Sequence, residues 1–437
     1  MALTALEQRL CNWVAAQREP LLADLRLHVG LPTGLNHTAG LDETRERLTA
    51  RCKALGASVE LIPGDARPWW IGGPSAMRSH LARQLGRTGD VAPPDAPVPP
   101  TAICRRLDAS NQSPAAVLIA GHLDTVHDPR GAFRELSIAP GGATATGPGC
   151  VDMKGGLVIA IAALEALEAC GVRVPFTFVL NSDEETGSFH SDGALRAEAA
   201  SGRYLAGLAL EPAMAKGELA ISRGGSGQFM IETRGKAAHV GRDFASGVSA
   251  TSALASALLG AHALNDAKAG QCVNVSPLWC DQPTNQVADH AACWGNVRYP
   301  DAFGGERLER GLAALAQGGP RELPSVEVQS SFTRPAKPMT IEVERLALAA
   351  RGVAEALGQT LPFATTAGVC DGNNLQAAGL ATIDTLGVRG GGLHTPQEWI
   401  ELPSLVERCQ MLAILMLRLT GGGVQVALGG SAQEQSA

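Results

Sequence analysis

Short, nearly uninterrupted apolar runs punctuate the first half of the chain: AAVLIAG at 115–121, FTFVL at 176–180 and YLAGLALE at 204–211. Runs of this length without polar alternation predict strands covered on both faces. Between the first two lies DMKGGLVIAIAALEALEACG at 152–171. It is too long for a strand and rich in Ala and Leu, which predicts a buried helix stopped at Gly171. Strand, helix and strand in succession is an α/β pattern.

From about Gly224 the pattern changes. GQFMIETRG predicts a strand, and GVSATSALASALLGAHAL (247–264) a helix. Two strand-like runs, QCVNVSPLW and NQVADHAACWGNVRY, follow. A helical stretch at 305–317 and a strand at 325–332 close the series. The order β-α-β-β-α-β is the split, ferredoxin-like arrangement. It predicts a module at 223–334 inserted into an α/β domain built from 1–222 and 335–437. That domain resumes with a helix around 341–357 and a last strand, LATIDTLG, at 380–387. The Gly-rich tail from Thr420 predicts a frayed end.

Composition narrows the classes. With 437 residues, two domains are the default. Charged residues at 18 % against 45 % hydrophobic suit a packed chain rather than extended disorder. A net charge of -7 with no Lys/Arg run argues against nucleic acid as partner. No apolar stretch approaches a membrane span of about 18–20 residues. The N-terminus, with Glu7 and Arg9 early, does not read as a signal peptide. Ten scattered cysteines without a C-x-x-C pair then predict reduced thiols and a cytoplasmic protein.

Several segments place a metal-capable side chain just beyond a predicted buried strand, where open α/β sheets collect ligands. AGHLDTVHD carries His122, Asp124 and His127; GPGCVDMKGG carries Asp152; NSDEETGS carries Asp183, Glu184 and Glu185; LALEPA carries Glu211; and GVRGGGLHTPQEW carries His394. Three adjacent carboxylates at the end of an apolar run repel one another and resist desolvation, so they call for a cation. GPGCVDMKGG lacks the pattern of a phosphate loop or dinucleotide fingerprint.

GHLDTV, GPGCVDMKGG, SDEETGS, EP and GGGLHT, in this order, resemble the dinuclear zinc exopeptidase and deacylase family. That family includes glutamate carboxypeptidase, acetylornithine deacetylase, succinyl-diaminopimelate desuccinylase and aminoacylase. The resemblance implies a three-layer α/β/α catalytic domain with the inserted module as a lid. It assigns His122 and Glu211 to one zinc, Glu185 and His394 to the other, and Asp152 as the bridge. Cobalt or manganese suits the same donors. It makes Glu184 the general base, Asp124 the partner of the His122 ring, and the peptide after Asp152 cis. Asp183 reads as structural, accepting backbone N–H groups, and His127 as a surface residue ahead of a pocket-lining one. Cys150 reads as a small filler, while Trp69 and Trp70 fit either a pocket rim or packing.

On the lid, the resemblance places His239 as oxyanion stabiliser, reaching across from a partner subunit in many members. Asn285 becomes a polar substrate contact and Arg298 the clamp on a substrate carboxylate, a task suited to a planar guanidinium. The implied activity is hydrolysis of an amide next to a free carboxylate, on N-acyl amino acids or short peptides, by a homodimer. A deacetylase or desuccinylase of the acetylornithine type is the alternative, and a metal-free binding protein on the same scaffold a remote one.

Overall fold

Six strands in the computed structural model order as Ser58–Ile62, Thr101–Arg106, Phe176–Asn181, Ala116–His122, Tyr204–Ala209 and Thr382–Ile383. The first two pair antiparallel with each other, Thr101–Arg106 also pairs antiparallel with Phe176–Asn181, and the remaining pairs are parallel. The structure describes residues 2–34, 37–84, 97–107, 116–319 and 322–421. The tail predicted to fray lies outside them beyond Gly421.

Period-two alternation splits the central strands between two cores. Val117, Ile119, Phe176 and Phe178 pack beneath the helices Lys154–Ala169, Ile341–Ala356 and Pro403–Thr420 and the N-terminal helices. Ala116, Leu118 and Val179 face the other way, towards Leu195 and Leu375 on the helices Asp192–Ala199 and Asp371–Ala377. Helix, sheet and helix make three layers. The helix predicted at 152–171 runs from Lys154 to Ala169, is apolar nearly all round, and ends where Gly171 takes a φ of +78°.

The inserted module matches its predicted grammar. Its strands are Gly225–Arg234, Cys272–Trp279, His290–Tyr299 and Ser325–Arg334, with helices Ala250–His262 and Ala302–Ala313 between them. The sheet order places the first and third strands in the middle, as in a ferredoxin-like fold. Ser249 and Asp301 cap the two helices by accepting from the N–H groups of Ser252 and Gly304.

The two chain crossings into and out of this module lie side by side. Arg223 and Lys337 exchange backbone hydrogen bonds of 2.9 Å each. Both side chains meet the buried Asp384, at 2.8 Å and 3.3 Å.

One expectation needs correction, and two strands lay outside the expectations. The last strand is only Thr382–Ile383 rather than 380–387. Asp384 turns to serve the crossings, and Thr385, at a φ of +59°, leaves extended geometry. The strands Ser58–Ile62 and Thr101–Arg106 were not visible in the apolar pattern. The first is an exposed edge, and the second ends in two arginines.

Trp69 and Trp70 belong to packing. Trp70 joins Met77, Met230, Trp279 and Trp294 in a buried cluster on the lid sheet. Its carbonyl accepts from Trp294 Nε1 at 2.7 Å.

Candidate metal centre and substrate cleft

The metal-capable side chains gather at the carboxyl end of the central sheet. His122 is the last residue of its strand, Glu211 lies two residues past Ala209, and Glu184 and Glu185 open a short 3-10 turn three residues beyond Asn181. Asp152 comes just before the buried helix. His394 follows the triple glycine with a φ of +62°, a left-handed backbone that few side-chain-bearing residues adopt.

Asp152 sits between the two histidines. Its Oδ1 is 3.3 Å from His122 Nε2, and its Oδ2 is 3.5 Å from His394 Nε2. Glu211 approaches His122 Nε2 at 4.0 Å, and Glu185 approaches His394 Nε2 at 3.2 Å. The Asp152–Met153 peptide is cis.

His122 Nδ1 donates to the backbone carbonyl of Asp124 at 3.0 Å, with the Asp124 carboxylate farther off at 3.5 Å. With Nδ1 so engaged, Nε2 is the ring nitrogen turned towards Asp152. The Asp124 carboxylate works mainly elsewhere, accepting from the N–H groups of Glu184 and Glu185 at 3.2 Å and 2.9 Å. It therefore holds the turn that carries both glutamates. Asp183 accepts from His190 N at 2.6 Å, the structural work expected of it.

A divalent ion fits these residues. His122 Nε2 and Asp152 Oδ1 are buried without a hydrogen-bond partner among the described residues. Ligand atoms of His122, Asp152 and Glu185 lie within 4.8 Å of one another. Burial drives Glu211 up to about 8 and raises Glu185 as well. Burial disfavours charge on His122, yet the carboxylates of Asp124, Asp152 and Glu211 hold its pKa well above the usual histidine value. Imidazole and carboxylate donors crowded at these distances, with two buried atoms unsatisfied, are complementary to a cation.

Glu184 lies beside this cluster without joining it. Burial raises its carboxyl well above the ordinary range, against the opposing pull of Arg334. Arg334 was not anticipated. It ends the last lid strand, is 3 % exposed, and donates to Glu184 Oε1 at 2.8 Å and Asp371 Oδ1 at 2.6 Å. No local motif marks it; only the inserted fold brings it to the sheet's end.

Arg298 opens onto the same cleft. A hollow of about 1160 Å³, open to solvent, is lined by Glu184, Glu185 and His394 from one side and by Gln228, Asn296 and Arg298 from the lid. Arg298 Nη1 is buried and has no hydrogen-bond partner among the described residues. Burial and the like charge of Arg334 lower the pKa of Arg298, the electrostatics of a guanidinium lacking its anion.

His239 and Asn285 lie elsewhere. His239 ends the short strand Ala238–His239, and Asn285 sits in the turn before its partner strand Gln286–Val287, where Asn285 O accepts from Val240 N at 3.0 Å. Both are exposed, and His239 Nδ1 accepts from Gly241 N. Neither lines the cleft of its own chain. His127, expected at the surface, is instead largely buried, with Nε2 2.6 Å from Glu398 Oε2. Cys150 is fully buried, as a filler should be.

A model of peptidase family M20/M25/M40 matches residues 118–418, most of the chain and every candidate metal ligand. The chain belongs to this family. It is 28% identical over 313 residues to carboxypeptidase G2 of Pseudomonas sp. (strain RS-16), covering 70% of this chain and 74% of that protein. Among solved structures, it resembles the aminopeptidase PepT of Bacillus cereus (TM-score 0.63, 18% identity, 92% of this chain and 98% of the other). It also resembles human carnosine dipeptidase 1 (TM-score 0.64, 13% identity, 95% and 100%). At such identities the two structures speak for the fold. As an M20-family metallohydrolase, this chain has a donor set for metal, of which Glu185 and His394 line the cleft that Arg298 enters.

Proposed function

We propose that this chain is a zinc-dependent amidohydrolase that releases an amino acid bearing a free α-carboxylate from an N-acyl amino acid or short peptide. Its nearest functional type is the glutamate-carboxypeptidase-like branch. One observation carries the reading: Arg298, with a buried unpaired Nη1, shares its cleft with Glu184, Glu185 and His394. A substrate carboxylate supplies the anion that Arg298 lacks, and a bidentate pairing orients the neighbouring amide.

Two zinc ions would be held, one by His122 and Glu211 and the other by Glu185 and His394, with Asp152 shared. Three ligand carboxylates set -3 against +4. Such a pair, when bound, lowers the pKa of water towards about 7 and polarises the scissile carbonyl. The chain's own residues supply the rest. Arg298 binds the carboxylate, and Glu184 takes a proton from the attacking water. Arg334 fixes the orientation of that carboxylate through its 2.8 Å contact. Glu184 then returns the proton to the departing amine, so proton gain and loss balance across the turnover.

His239 and Asn285, exposed and away from the cleft of their own chain, act from the partner subunit of a homodimer in this reading. The test is a panel of N-acetyl, N-succinyl, N-benzoyl and pteroyl-type glutamate amides, assayed alongside neutral amino-acid counterparts. Metal content is measured on the same sample. Release of amino acids with about two equivalents of zinc is the expected result. Preference for N-acetylornithine or N-succinyl-diaminopimelate would move the chain to the deacylase alternative. No zinc uptake and no hydrolysis would leave a binding protein.

A further inference from the structure

Three of the segments that carry proposed metal ligands meet at one carboxylate that is not itself a ligand. Glu398 lies four residues beyond His394, its side chain 1 % exposed. Its Oε1 accepts from the backbone N–H groups of Val151 at 2.8 Å and Asp152 at 3.0 Å. Its Oε2 accepts from Gly149 N at 2.8 Å and from the ring of His127 at 2.6 Å. The backbone carbonyl of Glu398 also accepts from Gly147 N at 3.2 Å. His127 is five residues beyond His122.

We propose that Glu398 and His127 are a positioning pair, which fixes the Gly147–Asp152 loop so that the two oxygens of Asp152 face His122 and His394 together. Three N–H groups from one loop, aimed at one carboxylate, leave that loop little freedom to rotate. Each accepting oxygen takes two donors, so the lone pairs of the buried carboxylate are filled. A buried carboxylate also needs compensating charge or charge-assisted hydrogen bonds, and His127 supplies the only side-chain contact to it among the described residues. The donors at 149, 151 and 152 flank Asp152 itself, so a shift there is transmitted over one or two bonds. Because two successive turns, closed by Thr395 N to Gly392 O and Glu398 N to Thr395 O, join His394 to Glu398, the same contacts tie the shared ligand to the second histidine. The sequence offered both residues, in TVHD and PQEW, without a reason to connect them across 271 positions.

This inference rests on the metal reading given above. Its test is therefore zinc affinity, measured by competition with a chromophoric chelator on the full-length metal-stripped protein. Wild type must bind zinc, and failure there defeats the metal reading itself. Glu398→Gln keeps the shape and removes the charge, and it should weaken zinc by about 10–100-fold, the usual effect of disturbing the groups behind a metal ligand. His127→Gln should weaken zinc by a smaller factor, at least about threefold. The double variant should be no weaker than Glu398→Gln, since members of one hydrogen-bonded unit are not additive. In the zinc-saturated enzyme kcat should fall while KM holds, a split that a general loss of packing would not give. Unchanged zinc affinity in a folded Glu398→Gln, whatever its melting temperature, would overturn the proposal. If that variant does not fold, the His127→Gln affinity decides alone, and a wild-type value would overturn it.

Discussion

The two halves of the candidate metal centre are built differently. His122 and Glu211 stand at or just past the ends of parallel central strands, and His122 is 1 % exposed. Glu185 and His394 stand on turns, and His394 is 55 % exposed. One half inherits its geometry from the sheet, whose hydrogen bonds fix a strand end regardless of what binds there. The other depends on a 3-10 turn pinned by Asp124 and on a histidine held in a left-handed backbone. In the two-zinc proposal, the rigid side would hold one ion and the open side would present the other to solvent and substrate. The cleft accordingly touches His394 and Glu185 but not His122.

Glu184 lies beside the centre on the cleft wall, and altering it should give the largest change. Glu184→Gln keeps the hydrogen bond from Arg334 but cannot take a proton. It should lose at least about 10²–10⁴ in kcat while retaining full zinc stoichiometry by atomic emission. Parallel loss of zinc would mean that Glu184, not Glu185, is the ligand.

Next comes the contrast between the histidines, read on the metal-stripped protein by thermal unfolding. His122→Ala leaves Asp152 and Glu211 buried without their nearest cation, and should cost about 2–4 kcal/mol. His394→Ala exposes little and should cost less than about 1 kcal/mol, yet lower zinc stoichiometry by one. Equal destabilisation would erase the distinction between a rigid and an open half. Arg298→Ala tests the far wall of the same cleft. It should raise KM about tenfold, the equivalent of roughly 1.4 kcal/mol, and an unchanged KM would free Arg298 from the carboxylate role.

The same contrast explains what was legible in the sequence. Uninterrupted apolar runs marked the three central strands because both faces of each are buried, and their ends located His122, Glu184 and Glu211. The lid was readable because its elements are amphipathic and follow a fixed order. What escaped detection depended on tertiary closure. Arg334 looks like any strand-terminal arginine until the lid folds back, and Glu398 looks like a polar turn residue until three N–H groups surround it. His127 looks like a surface residue for the same reason: its partner Glu398 is far along the chain. Edge strands such as Ser58–Ile62 carry too little apolar pattern to announce themselves.

The smallest effect tests the open half most directly. At a φ of +62°, a side-chain-bearing residue at 394 costs about 1–2 kcal/mol relative to glycine. Glycine in turn loses roughly 0.5–1 kcal/mol more backbone entropy on folding than alanine does. The first effect exceeds the second, so metal-stripped His394→Gly should be more stable than His394→Ala by about 0.5–1 kcal/mol. At an ordinary backbone position the sign is reversed, and differential denaturant midpoints are sensitive enough to read it. A more stable alanine variant would mean that His394 relaxes out of the left-handed region in solution. The open half would then be ordered by the bound ion rather than prepared for it.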